Sequence, residues 1–217
     1  MEPVPMNRLV SRILGSALGL SLLAGPALAQ PRQDPDWPCV QRKVATLSPG
    51  QFWTGPDIAA AGDWGSDNDA AVLAQKIASR RTDLSQVGPL LDEFAGKFGT
   101  DKDAKDKALT RVYAGVFEVI NGERDKVVGG IARYAQGQRR MAERIRDEAD
   151  KISQVKDAPS ASDATELPKD QSELETKFAW DRRIFQERSQ SLTYVCEVPQ
   201  LLEQRLGEIA RMIQARL

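Results

Sequence analysis

A stripe of residues spaced alternately four and three apart runs without a slip from Tyr113 to Val155. It comprises Tyr113, Phe117, Ile120, Arg124, Val127, Ile131, Tyr134, Gln138, Met141, Ile145, Glu148, Ile152 and Val155. Ten of these thirteen are apolar, counting both tyrosines. Such a spacing keeps one face of an α-helix apolar and matches no strand. The phase passes through Asn121-Gly122 unchanged, and an inserted loop would usually reset it. One long helix from Asp101 to Val155 is therefore expected, with two helices joined at Gly122 as the alternative. The same spacing resumes at Leu174, Phe178, Asp181, Phe185, Arg188, Leu192 and Val195, and continues through Pro199, Leu202, Leu206, Ile209 and Ile213. Pro199 lacks a backbone N–H, so a kink or break near Val198 is expected.

Between the stripes lies a Pro-, Ser- and Asp-rich linker, residues 156–170, followed by a capping box at Ser172 to Glu175. Two matched helices joined by one linker should fold back as an antiparallel coiled-coil hairpin. Two shorter helices precede them. One starts at the cap-like Ser66-Asp67-Asn68-Asp69 and ends near Arg80. The other runs from Asp83 to Phe98, kinked or started at Gly88-Pro89. No strand pattern and no repeat of fixed period is present. The class is all-α: a long antiparallel helical hairpin, or an elongated helical bundle.

Residues 30–65 form an arm of a different kind, and residues 66–217 the helical domain. The arm holds Pro31, Pro35, Pro38, Pro49 and Pro56 with Trp37, Phe52, Trp53 and Trp64, and no period. Its aromatics are costly to leave in water and are expected to plug helix grooves. The competing reading makes Trp37, Phe52 and Trp53 candidate contacts for a partner. Residues 1–29 read as a secretory signal peptide: Arg8 and Arg12, an apolar run from Ile13 to Leu23, then the small-x-small site Ala27-Leu28-Ala29. The run is shorter than the ~20 residues that span a bilayer, so a periplasmic or secreted location is expected, without membrane association after cleavage. In that oxidising compartment the only cysteines, Cys39 and Cys196, are expected to form a disulfide.

The chain has no histidine. That excludes Ser-His-Asp and Cys-His catalysis as usually built, and His-based metal sites. Lys plus Arg number 30 and Asp plus Glu 31, a balance that gives no footprint for nucleic acid. Ser153-x-x-Lys156 and Ser66-Asp67-Asn68 match two motifs of penicillin-binding proteins, but in the wrong order and without Lys-Thr-Gly. The clusters Asp63/Asp67/Asp69 and Asp101/Asp103/Asp106 do not fit a calcium loop and sit where helix N-termini favour carboxylates. Arg139, Arg144 and Arg146 each have an acidic residue four positions on, the pattern of a solvated, self-neutralising face. No catalytic residue, cofactor site or metal site is expected.

The segments DWPCVQRKVATLSPGQFWTGP and FQERSQSLTYVCEVPQLLEQRL together resemble a family of small exported bacterial helical proteins of unknown function. The resemblance covers most of the mature chain, places one cysteine in each segment, and implies no activity. The hairpin also resembles the helical arms of periplasmic chaperones in architecture, but such arms are usually strongly basic. Two function classes remain open. One is a non-enzymatic interaction or scaffold component of the cell envelope, binding a protein partner or itself. The other is a helical module that holds a small ligand or lipid. Seam residues left exposed would favour the first, and a closed dry pocket the second.

The order of basic, apolar and small-residue segments predicts that exported protein begins at Gln30. N-terminal mass analysis of the exported fraction tests this, and a retained Met1 or Met6 in membranes would refute it.

Overall fold

The computed structural model describes Asp34, residues 36–157 and residues 169–217, all within one compact unit. The expected signal peptide, residues 1–29, and most of the expected linker lie outside the described residues. Five helices follow in order: α1 Ile58–Ala61, α2 Asn68–Ala78, α3 Leu84–Gly96, α4 Lys102–Lys156 and α5 Lys169–Gln214. The described residues contain no strand. The fold is all-α.

Carboxylates start the helices. Asp57, Asp63, Asp67, Asp83 and Asp101 each accept a hydrogen bond from a backbone N–H two or three residues on, satisfying donors that a helix or turn start leaves free. The cap of α2 is Asp67 rather than Ser66. Ser66 closes a preceding 3₁₀ turn by donating to the Asp63 carbonyl, while Asp67 also receives Arg111 Nη1 at 3.0 Å. At the far end of α2, Arg205 replaces the missing partners. Its guanidinium donates to the carbonyls of Ile77, Ala78, Ser79 and Thr82 at 2.7–3.1 Å.

Helix α4 runs 55 residues through Asn121-Gly122 without interruption, about 80 Å at 1.5 Å per residue. Helix α5 runs 46 residues and, against expectation, Pro199 does not break it. The proline ring is buried, and the N–H it lacks leaves the Val195 carbonyl without its i+4 donor. Pro89 likewise sits inside α3 on its exposed side. Helix α5 begins at Lys169, ahead of the Ser172 box. Asp170 in its first turn complements the positive end of the helix dipole.

The two long helices are antiparallel, and their contacts change character along their length. In the proximal half α2, α3 and part of the arm pack on them. Leu109, Val112, Val116 and Ile120 of α4 meet Leu202, Leu206, Ile209 and Ile213 of α5 in one buried core. Gly115 is required there: a Cβ would stand 2.7 Å from the Trp64 ring and 2.8 Å from the Ala74 Cβ. In the distal half α4 and α5 pack chiefly on each other, with Asp36 of the arm meeting α4 at Gln136 and Arg139. Met141, Glu148 and Ile152 are buried, but Leu174, Phe178, Phe185 and Leu192 are only half-covered and Val195 is exposed.

Among its described residues the arm is irregular apart from α1 and two 3₁₀ turns, and it is tied to the helices at several points. Trp53 stacks on Tyr113 with ring centroids 4.1 Å apart and planes 9° from parallel. Tyr113 Oη donates to the Pro49 carbonyl at 2.8 Å, and Trp53 Nε1 to that of Pro56 at 2.7 Å. Cys39 is disulfide-bonded to Cys196, with Cα atoms 5.5 Å apart. The pair forms a second, smaller core with Ile131, flanked by Trp37, Val127 and Leu192.

The bond closes 157 residues of sequence, for which loop entropy sets an upper bound of about 5 kcal/mol. Cys39→Ser with Cys196→Ser should lower the unfolding free energy by roughly 2–5 kcal/mol. The reduced protein should free Trp37 while Trp53 stays shielded by its own stack. Urea unfolding with tryptophan quenching reads both. Two alkylated thiols in unreduced, denatured protein would refute the bond.

Candidate interaction surface

Polar side chains, not apolar ones, set the distal pairing. Tyr134 Oη donates to the Arg188 carbonyl at 2.8 Å. Gln138 Nε2 donates to the Phe185 carbonyl and to Ser189 Oγ, both at 3.2 Å. Arg144 Nε donates to Asp181 at 2.7 Å, and Lys177 pairs with Glu148. As the α4 partner advances from Tyr134 to Glu148, its mate on α5 retreats from Arg188 to Lys177, so these are rungs of one antiparallel ladder. One of the intrahelical pairs expected on α4, Arg144 with Glu148, gives way to a rung. Arg144 turns to Asp181 rather than Glu148, and Arg139 to Asp36 of the arm at 2.5 Å. The seam already brings an acid from outside the helix within reach, so the local partner is not needed.

The ladder leaves the far face of α5 bare. Trp180 and Tyr194 stand there at 58% and 75% exposure. Between them Arg183 Nε donates to Glu187 at 2.9 Å, and the Arg183 guanidinium lies 5.9 Å from the centre of the Trp180 ring. Two open, shallow grooves cross this face. One is lined by Thr176, Ala179, Trp180 and Arg183, the other by Glu187, Gln190, Ser191, Thr193 and Tyr194.

The aromatics singled out in the arm lie elsewhere. Trp53 is in the main core, at 7% exposure. Phe52 is half-buried against that core, and Trp37 is half-buried beside the disulfide with its Nε1 donating to the Gln41 carbonyl at 2.6 Å. None of the three stands as far out as Trp180 or Tyr194. Sequence reasoning passed over those two because they fall out of phase with the seam. The signal was present: an aromatic opposite the seam of a helix with a single neighbour must face water.

The acidic clusters are occupied by local partners. Asp63, Asp67 and Asp101 cap, Asp69 pairs with Lys97, and Asp106 with Lys102. Among the described residues no group of three or more Cys, Asp or Glu is placed to hold a metal ion, and no helix is long and apolar enough to cross a membrane. The disulfide fits a protein that meets an oxidising environment. Compared with protein-family models, curated proteins and solved structures, the chain matches none.

The ladder responds to acid. The hydrogen bond from Arg144, aided by the charge of Lys177, holds the Asp181 carboxyl below its ordinary range. A depressed carboxylate stabilises the fold above its unfolded pKa, and that contribution disappears as the pH falls through its folded pKa. Acidification below the ordinary carboxylate range should therefore loosen the distal hairpin before the apolar proximal core. Helicity followed by circular dichroism should fall in two steps, and Asp181→Asn should remove or shift the first. Identical single-step profiles for both proteins would refute this.

Proposed function

We propose that this is a non-enzymatic periplasmic or secreted protein that acts as an interaction or scaffold component of the cell envelope. The carrying observation is the bare outer face of α5, with Trp180 and Tyr194 in water on a helix whose other face is already paired. Large aromatics on an otherwise polar face supply rigid contact area for a protein partner. The proximal half supports the same reading: it is a closed core that anchors the stalk by the arm, Arg205 and the disulfide. The signal-like residues 1–29 and the disulfide support export. The resemblance of the two cysteine segments to small exported bacterial proteins agrees with that address.

The alternative, a module that holds a small ligand or lipid between helices, draws less support. The distal space between α4 and α5 is crossed by Gln138, Arg144 and Lys177, and the grooves at the surface are open.

A photo-crosslinking residue placed at Trp180 or Tyr194 of the exported protein should give discrete protein adducts in the periplasm. The same residue at Asp103, exposed on the proximal half, should give none. Equal labelling from all three positions, or adducts from Asp103 alone, would overturn the reading.

A further inference from the structure

The outer face of α5 carries a second stripe with the same spacing as the seam: Thr176, Trp180, Arg183, Glu187, Gln190 and Tyr194. The residues of its two grooves include two successive sets at i, i+3, i+4 and i+7: Thr176, Ala179, Trp180, Arg183, then Glu187, Gln190, Ser191, Tyr194. Four residues so spaced form the hole that accepts one knob of a facing helix in a coiled coil. The face thus has the form of a helix-docking surface, and its charge order says which helix fits.

We propose that the occupant is the same face of a second copy of this chain, antiparallel, about a two-fold axis level with Phe185. This rests on the reading of that face as an interaction surface. In an isologous contact residue i meets j and j meets i. An axis at that level sets Arg183 opposite Glu187 of the second copy, twice. Trp180 comes level with Gln190 of the second copy and enters the hole of Glu187, Gln190, Ser191 and Tyr194. Ala179 meets Ser191, two small residues that let the helices approach. Thr176 meets Tyr194. Every member of the stripe faces another member, and Arg183 and Glu187, at 69% and 62% side-chain exposure, are free to exchange their local pair for this one.

The parallel pair and the registers centred on a charged residue fail on charge. A parallel pair sets Arg183 against Arg183 and Glu187 against Glu187. An antiparallel axis level with either residue sets that residue against its own copy. Like charges in direct opposition are costly in a contact that excludes water. The surface is one helix face wide, so the buried area falls below about 1,200 Å², the class of weak, concentration-dependent contacts.

Sedimentation equilibrium of the mature protein from about 1 to 500 μM tests this, a range suited to weak contacts. The weight-average mass should rise from the monomer value towards twice that value. Trp180→Ser should hold it at monomer. Arg183→Glu and Glu187→Arg should each raise the dimer dissociation constant about tenfold or more, because each sets like charges opposite one another. A mixture of these two variants should recover association, as both facing pairs become complementary. For the register, Ala179→Cys mixed with Ser191→Cys should form an intermolecular disulfide that neither forms alone. A mass fixed at monomer throughout, or self-association unaffected by either charge reversal, would overturn the proposal. If the protein stays monomeric while position 180 still crosslinks to a different protein, this inference falls and the interaction reading stands.

Discussion

Arg124 carries a permanent charge into the place where the arm, α4 and α5 meet, and a buried cation tolerates no misalignment of the groups that pair with it. The residue is 1% exposed. Its Nε donates to Glu203 of α5 at 2.5 Å, and its other nitrogens reach the Val44 carbonyl of the arm and Asp125. Removing one partner of such a group leaves an uncompensated charge, which costs far more than the pair itself contributes. A slip of α5 along α4 by one turn would do the same. Arg124 therefore sets the register of the whole hairpin, and the rungs from Tyr134 to Glu148 continue it outward.

The arm follows from this arrangement. The irregular segment satisfies only part of its own backbone, and the helices supply more partners: Arg124 donates to the Val44 carbonyl, Gln214 donates to the Phe52 carbonyl and accepts from the Thr54 N–H, and Tyr113 joins the two arm N–H groups already on the Pro49 carbonyl. Its aromatics then fill what the helices leave open. Trp53 covers the flat face of Tyr113, and burial pushes the pKa of that phenol up, keeping it a neutral donor at any physiological pH. Trp64 lies over Gly115 and donates to Glu118 at 2.6 Å. The arm is thus a wall of the proximal core, beside α2, α3, α4 and α5, rather than a tether.

The elements that rest on period were legible in the sequence. Helix α4, the pairing of its stripe with that of α5, and the all-α class follow from a four-and-three spacing too long to be accidental. The cysteine pair follows from count and compartment. What period cannot convey is depth. Leu202 and Leu192 hold equivalent places in one stripe, yet the first is buried under α2 and α3 and the second is half-covered, because the short helices reach only the proximal end. Pro199 does not break α5 for a related reason. Its cost as a helix breaker is a local quantity, and the packing of Cys196, Leu202 and Leu206 on either side outweighs it. The residues of the candidate surface escaped notice because phase identifies the face that is covered, and Trp180 and Tyr194 lie on the other one.

The change from apolar core to polar rungs along the hairpin also explains where the disulfide sits. A seam flanked by water on both sides leaves the apolar residues of distal α5 half-covered, so Phe178 and Phe185 contribute less than Ile209 or Ile213 do. Ion pairs near the surface add little net stability. They do add specificity: a mispaired distal half would strand Glu148, which is 4% exposed, without Lys177. A stalk built this way is well aligned but weakly held, and it would fray from its free end. The small core of Cys39, Cys196 and Ile131 lies just where the rungs give way to the proximal core. A covalent tie at that boundary stops fraying from passing into the core.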